Sequence, residues 1–337
     1  MSRKLVILPQ TGLICKDSLC LEGQILRLKN KHLEVKKKDG IWRNINRLYK
    51  LYTIHKVSNT PICIQYLNQS CEVTTDSHGY FQLNFPVKVG HHFTSEDIQY
   101  SLLHGEEKIY IPEISQSDVY PIKEDSFGVI SDIDDTILQT FATNLFKRLS
   151  TVLRYNALKR KEVKHMSDFY NLFSKRGGNF FYVSNSEMNL FLIIKLFLNN
   201  REFPDGPIYL KPFKRLKHLL WKKQSHHSRK NQHKLDRIRF LLNSAPLKPF
   251  VFVGDSGQND PLIYYKIALE FPEQVKGIFI RGVKKYPPKN ATEINRYKDI
   301  LNEKGIPFYI FRDPHDMIPI AVNLLDHYLM IKKESPL

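Results

Sequence analysis

Three carboxylates stand within four residues in Ser131-Asp132-Ile133-Asp134-Asp135-Thr136, directly behind the apolar run Phe127–Ser131. Like charges a few ångströms apart repel, so such a cluster is costly unless a cation relieves it. A second acidic pair follows another apolar run, in Gly254-Asp255-Ser256-Gly257-Gln258-Asn259-Asp260. Hard oxygen ligands in small number suit Mg²⁺, which keeps several waters and is often completed by a substrate phosphate. Either cluster alone would pass for an ordinary Asp-rich turn. The ordered set says more: Asp-x-Asp-x-Thr ends one run, Ser184 ends the next, Lys234 opens a later helix, and Gly-Asp-x4-Asp follows another run.

The two acidic sets meet only if their strands end on one edge, and a parallel sheet provides that. From residue 127 six apolar runs recur: Phe127–Ser131, Phe180–Ser184, Pro207–Leu210, Phe250–Gly254, Gly277–Arg281 and Pro307–Phe311. They are rich in Val, Ile, Phe and Tyr and alternate with helix-like stretches, the pattern of a parallel sheet covered on both faces. Ser186 reads as the N-cap of a helix over 187–199, and Pro261 suits the first turn of another. Ligands of open α/β sheets bind outside the carboxyl ends of the strands. The stretches 137–176 and 211–233 exceed plain connections, and insertions at those ends tend to cover or feed the site.

The first third reads as β structure. Short apolar stretches such as Lys4–Leu8 and Ile25–Leu28 are broken by polar turns. Asp76-Ser-His-Gly is a turn, and the strand behind it alternates, with Phe81, Leu83 and Phe85 on one side and Tyr80, Gln82 and Asn84 on the other. A further β stretch is expected at 108–111 and a helix over 43–52. The fold class is therefore α/β from 125 to 337, preceded over 1–124 by a small β-sandwich. At about 150 residues per domain, 337 residues accommodate both.

Composition removes several classes. Apolar residues make up 42% and charged residues 25%, which excludes global disorder. The best apolar run, Leu190–Leu198, holds Lys195 and is under half the length a membrane span needs. The four apolar residues before Pro9 are too few for a signal-peptide core, so a cytoplasmic location is expected, including attachment to the inner face of a membrane. The four cysteines match no zinc spacing and are expected buried and reduced. His226, His227 and His233 lack a Cys or Glu partner at ligand spacing and read as solvated loop residues. The net charge of +17 is concentrated: residues 211–239 carry eleven Lys and Arg against Asp236 alone, and 137–161 add six without an acid. An anionic partner is implied, with phosphate, lipid headgroups and nucleic acid all open.

Over about 125–325 the chain resembles the Mg²⁺-dependent phosphatidate phosphatases of the actin-patch-protein type, within the haloacid dehalogenase superfamily of aspartyl-phosphate phosphatases. The resemblance rests on Gly128-Val-Ile-Ser-Asp-Ile-Asp-Asp-Thr-Ile, Phe181-Tyr-Val-Ser-Asn-Ser, Phe203-Pro-Asp-Gly-Pro-Ile-Tyr-Leu, His233-Lys and Phe252-Val-Gly-Asp-Ser-Gly-Gln-Asn-Asp-Pro. It extends more loosely to Asp76-Ser-His-Gly-Tyr-Phe. Two positions depart from it: Arg281-Gly282-Val283 stands where Arg-Asp-Val is usual, and Glu187-Met188 where an apolar aromatic residue is expected.

The resemblance implies a Rossmann-like domain with a helical cap insertion and assigns roles. Asp132 would be the nucleophile and Asp134 the general acid and base. Mg²⁺ would be held by Asp132, the Asp134 carbonyl and Asp255, supported by Asp260. Ser184 would donate to the phosphoryl group, Lys234 would offset charge shared by Asp132 and phosphate, and Thr136, Asn185 and Ser256 would line the substrate site. Asp135 would brace the loop. The reaction implied is hydrolysis of phosphatidate to diacylglycerol and phosphate. The basic 211–239 would meet an anionic membrane surface, with Leu220 and Trp221 dipping into the acyl boundary. The same chemistry on a soluble or nucleic-acid-end phosphomonoester is the alternative, and a membrane-binding protein with an idle core is a third reading.

Overall fold

The computed structural model describes residues 4–15, 17–28, 55–87, 97–104, 109, 119–123, 126–137, 163–211, 227–283 and 291–334. Eight strands come first: β1 (Lys4–Cys15), β2 (Ser18–Leu28), β3 (His55–Lys56), β4 (Pro61–Tyr66), β5 (Gln69–Thr74), β6 (Tyr80–Pro86), β7 (Ile98–Leu102) and β8 (Val119–Pro121). One sheet runs β3-β2-β1-β8 with β6 also on β2, and a second runs β5-β4-β7. Both feed one apolar cluster: Leu5, Ile7, Leu19 and Leu21 from the first, Ile62, Ile64 and Tyr66 from the second. Along β6 the expected alternation holds, with Phe81, Leu83 and Phe85 buried and Gln82 and Asn84 exposed.

The α/β part follows in order: β9 (Gly128–Ser131), α1 (Met166–Lys175), β10 (Asn179–Glu187), α2 (Phe191–Asn200), β11 (Ile208–Lys211), α3 (His227–Ser244), β12 (Phe250–Asp255), α4 (Asp260–Glu270), β13 (Val275–Arg281), α5 (Ala291–Glu303), β14 (Phe308–Phe311) and α6 (Ile318–Glu334). All six expected runs are strands, and they form one parallel sheet in the order β11-β10-β9-β12-β13-β14. Side chains alternate between two cores: Val129, Phe180 and Tyr182 pack beside α1, α2 and α6, whereas Ile130, Phe181 and Val183 pack beside α3, α4 and α5. Covering on both faces explains why the runs are continuously apolar. The chain winds from β9 outward through β10 to β11, then returns to the other side of β9 with β12. That reversal lies between β9 and β12, and in open α/β sheets ligands bind outside the carboxyl ends of the strands at such a point.

Three expectations change. Ser186 caps no helix: β10 runs through it to Glu187, and α2 starts at Phe191 after a 3-10 turn, because the Ser186 hydroxyl is engaged by Asp134. Lys234 lies well inside α3 rather than at its start, and Pro261 does stand in the first turn of α4. His227 and His233 are helical, not loop residues, and His233 is half-buried with Nε2 unpartnered. All four cysteines are free, with Cys15 and Cys20 buried and Cys63 and Cys71 partly so. The expected helix over 43–52, most of 108–111 and 137–161, and Leu220, Trp221 and His226 lie outside the described residues.

Candidate active site

The strands flanking the crossover each deliver a carboxylate. Asp132 follows β9 and its amide donates to the Val253 carbonyl of β12 at 3.0 Å, so it sits in line with Asp255. Asp260 opens α4 and folds back, its Oδ2 accepting the Asp255 amide at 3.3 Å. A Cβ on Gly254 would come within 2.8 Å of that carboxylate, which is why glycine precedes Asp255. From α3, Lys234 Nζ reaches Asp132 Oδ1 at 2.9 Å and Asp260 Oδ1 at 2.6 Å. All four side chains are buried.

One ammonium cannot neutralise three carboxylates. Burial and the Asp260 carboxylate push Asp132 up to about 8, against the pull of Lys234. Burial, then Asp260 and Asp132, raise Asp255 well above the carboxylate range. Burial opposes the Lys234 ammonium, but Asp132 and Asp260 outweigh it and hold it above the lysine range. Asp255 Oδ1 accepts from the Gly257 amide at 2.6 Å, yet Oδ2 is buried without a partner. Carboxylate oxygens of Asp132, Asp255 and Asp260 lie within 4.8 Å of one another. An all-oxygen set with excess negative charge and an unpartnered oxygen fits a hard divalent cation.

Asp134 is set apart from that group. Its Oδ2 accepts from Ser184 Oγ at 3.1 Å and Ser186 Oγ at 2.5 Å, and its backbone carbonyl accepts from Gln258 Nε2 at 3.0 Å. The carboxylate of Asp134 is thus outside the ligating cluster, leaving only its carbonyl beside the expected metal role. Asp135 takes a left-handed φ of 59°, and its carbonyl accepts from Arg281 Nη1. Thr136 Oγ1 stands 3.5 Å from Asp132 Oδ2. Asn185 is half-buried with Oδ1 unpartnered. Ser256 faces Arg281 and Val283: its amide donates to the Arg281 carbonyl and its Oγ accepts the Val283 amide at 3.1 Å.

The structure therefore gathers Asp132, Asp134, Ser184, Lys234, Asp255 and Asp260 at one edge, with Thr136 against Asp132. Sequence reading missed Ser186, Gln258 and Arg281. Ser186 was findable, since a strand places residues two apart on one face and Ser184 was already singled out. Gln258 and Arg281 act on backbone carbonyls, for which their residue types carry no signal.

A doubly covered parallel sheet with a buried carboxylate–lysine centre at its crossover defines an α/β protein suited to a cation and a small anion. Residues 127–282 match the family model described as the catalytic domain of phosphatidate phosphatase APP1. The chain is 28% identical over 289 residues to phosphatidate phosphatase APP1 of Saccharomyces cerevisiae, covering 82% of this chain and 47% of that protein. It is 25% identical over 315 residues to an uncharacterized protein of Schizosaccharomyces pombe, covering 83% and 50%. The chain thus spans about half the length of the curated relatives it matches. A class C acid phosphatase from Bacillus anthracis, solved with tungstate bound, overlaps 52% of this chain and 78% of its own at 16% identity and a TM-score of 0.27. At that score the overlap says nothing further about either molecule.

Proposed function

We propose that the chain is an Mg²⁺-dependent phosphatidate phosphatase that works through an aspartyl phosphate, with a haloacid-dehalogenase-like domain over 125–337 and a β-sandwich over 1–124. The observation that carries this reading is Lys234 bridging Asp132 and Asp260, beside Asp255 and two residues from a separately held Asp134. Asp132 attacks phosphorus, forming the acyl-phosphate bond as the ester P–O bond breaks. Asp134 gives its proton to the leaving alkoxide, then takes one from the water that hydrolyses the aspartyl phosphate. Ser184 and Ser186 keep that carboxyl from turning into the metal cluster, and with substrate bound the Ser184 hydroxyl would turn its one proton from Asp134 to the phosphoryl group. Lys234 holds the Asp132 carboxylate and offsets charge shared with phosphate. Asp132, Asp255 and Asp260, with the Asp134 carbonyl, would hold Mg²⁺, whose contribution when bound is to neutralise charge on the phosphoryl oxygens. Of the two long stretches, Met166–Lys175 and His227–His233 belong to α1 and α3, which cover the faces of the sheet, so the expected cap insertion is left to 138–162 and 212–226, which lie outside the described residues.

The lipid substrate is supported by the family model that residues 127–282 match and by the basic 211–239, apart from Lys234 and Arg237, which are committed to buried ion pairs. No helix among the described residues is long and apolar enough to cross a membrane. The test compares phosphate release from phosphatidate vesicles, nucleotides, sugar phosphates and an aryl phosphate. Changing Lys214, Arg215, Lys217, Lys222 and Lys223 to Gln should weaken vesicle binding and phosphatidate turnover, at about 1 kcal/mol per charge, while sparing the aryl phosphate. Faster release from nucleotides than from phosphatidate would replace the lipid by a soluble or nucleic-acid-end substrate.

A further inference from the structure

The Asp76–Phe81 turn resembles the same phosphatase family, yet it lies in the N-terminal strands, away from the carboxylate centre. Its construction leads back to that centre. Asp76 Oδ1 accepts from the amides of His78 and Tyr80 at 2.7 and 2.9 Å, and Gly79 takes a φ of +73°. A Cβ there would come 2.6 Å from the Ile25 carbonyl oxygen, so the turn lies tight against β2. Gln24 Nε2 donates to the His78 carbonyl at 2.8 Å. This mounting aims the Tyr80 hydroxyl at Glu22, to whose Oε2 it donates at 2.5 Å.

Glu22 is only 5% exposed, and both its oxygens are engaged by a residue 215 positions away. Arg237 Nη1 pairs with Oε1 and Nη2 with Oε2, the second at 3.2 Å. The guanidinium also lies 4.5 Å from the Tyr209 ring centroid on β11. Bidentate, charge-assisted pairing fixes orientation as well as distance. Leu13, Cys15 and Cys20 pack with Leu235 and Ile238 in the same region, but apolar contact tolerates sliding and a forked ion pair does not. Arg237 stands three residues after Lys234 on α3, so the two project about one turn apart. The linking segment is held as well: the Ile122 amide donates to the Ile14 carbonyl at 3.0 Å, and buried Lys248 Nζ donates to Ser126 Oγ at 2.8 Å and to the Ser126 carbonyl at 3.0 Å.

We propose that the N-terminal strands position the active site: Glu22, aimed by Tyr80, grips Arg237 and so fixes the helix from which Lys234 spans Asp132 and Asp260. Lys234 has little slack, with contacts of 2.9 and 2.6 Å to two carboxylates on different elements. A misplacement of about 1 Å at a catalytic group costs on the order of 10²-fold. Glu22, Tyr80 and Arg237 are positioning residues, and none touches the carboxylate cluster in any contact described above. The inference rests on Lys234 belonging to the catalytic centre as proposed, so its test includes a measurement that needs no turnover.

The experiment uses the full chain with Mg²⁺ present. Glu22→Gln, Tyr80→Phe and Arg239→Gln are compared for aryl phosphate hydrolysis and for amide hydrogen exchange across 231–240. Arg239 is the control, because it lies on the same helix but pairs with Glu270 at the surface. Glu22→Gln should lower kcat by about 10–100-fold with KM within about twofold, and should speed exchange across 231–240. Tyr80→Phe should do the same more weakly, and Arg239→Gln should leave both readouts unchanged. Wild-type kcat and exchange in a folded Glu22→Gln protein would overturn the proposal. If that variant does not fold, the milder Tyr80→Phe decides by the same two readouts. Equal losses in Arg239→Gln would also overturn it, since any weakened helix contact would then suffice. An inactive wild type would count against the phosphatase reading, and exchange would still decide the coupling.

Discussion

Helix α3 carries two buried ionic clusters about one turn apart, and they are completed to different degrees. At Glu22–Arg237, one carboxylate meets one guanidinium, and Tyr80 donates a further bond. At Lys234, one ammonium serves Asp132 and Asp260, while Asp255 keeps a buried oxygen without a partner. A buried ion pair offsets its desolvation only when its remaining bonding capacity is satisfied. The first cluster meets that condition by itself. The second would meet it with a cation bound, and that incompleteness is what separates a site from a strut.

The widest separation between the clusters should appear in turnover. Asp132→Asn removes the attacking charge while keeping shape, so phosphate release should fall by about 10³-fold or more in a protein that still folds. Near-normal release from folded Asp132→Asn would remove the nucleophile assignment. Chelation comes next: EDTA should abolish activity and Mg²⁺ restore it, with Ca²⁺ restoring little because its shell is larger and looser. Mg²⁺ at about 100 times its Kd should also add about 2.7 kcal/mol of stability, read as a rise in Tm. A Tm indifferent to Mg²⁺ would leave the carboxylates without their ligand.

A pH titration sharpens the contrast further. Asp132 holds its proton up to about 8 in the folded, metal-free chain, against 3.8 when unfolded. The native state therefore binds more protons between those values, and the stability this group contributes at low pH should be lost as pH rises from about 4 to about 8. Mg²⁺ should flatten that slope, and a metal-free Tm that climbs across the window would contradict the charge excess. The smallest effect is the most specific. Asp255→Asn should raise the metal-free Tm by about 2–4 °C, since it removes the cost of keeping that buried carboxyl either charged or protonated, while Glu22→Gln should lower Tm. The same sign for both would erase the distinction between the clusters.

Legibility followed the range of the interaction. The six strands of the sheet were readable because covering on both faces demands continuous apolar runs, a local property. The alternation of Phe81, Leu83 and Phe85 was readable for the same reason, with one face covered. Asp132, Asp255 and Asp260 could be assembled because parallel strands end on one edge. The start of α2 was misplaced because Ser186 has the residue type of a helix cap. Nothing local says that Asp134, 52 positions away, will claim its hydroxyl.

The sequence by itself determined the parallel sheet, its acidic edge and the basic excess over 211–239, since each is written in residue types and short spacings. Only the tertiary structure decided how the charges are divided. It sent the Asp134 carboxylate to two serines, gave Asp132 and Asp260 a shared lysine, and joined Glu22 to Arg237 across 215 positions. Such choices depend on which side chains the packed cores bring within about 3 Å, and a hydrogen bond is indifferent to the length of chain between its partners.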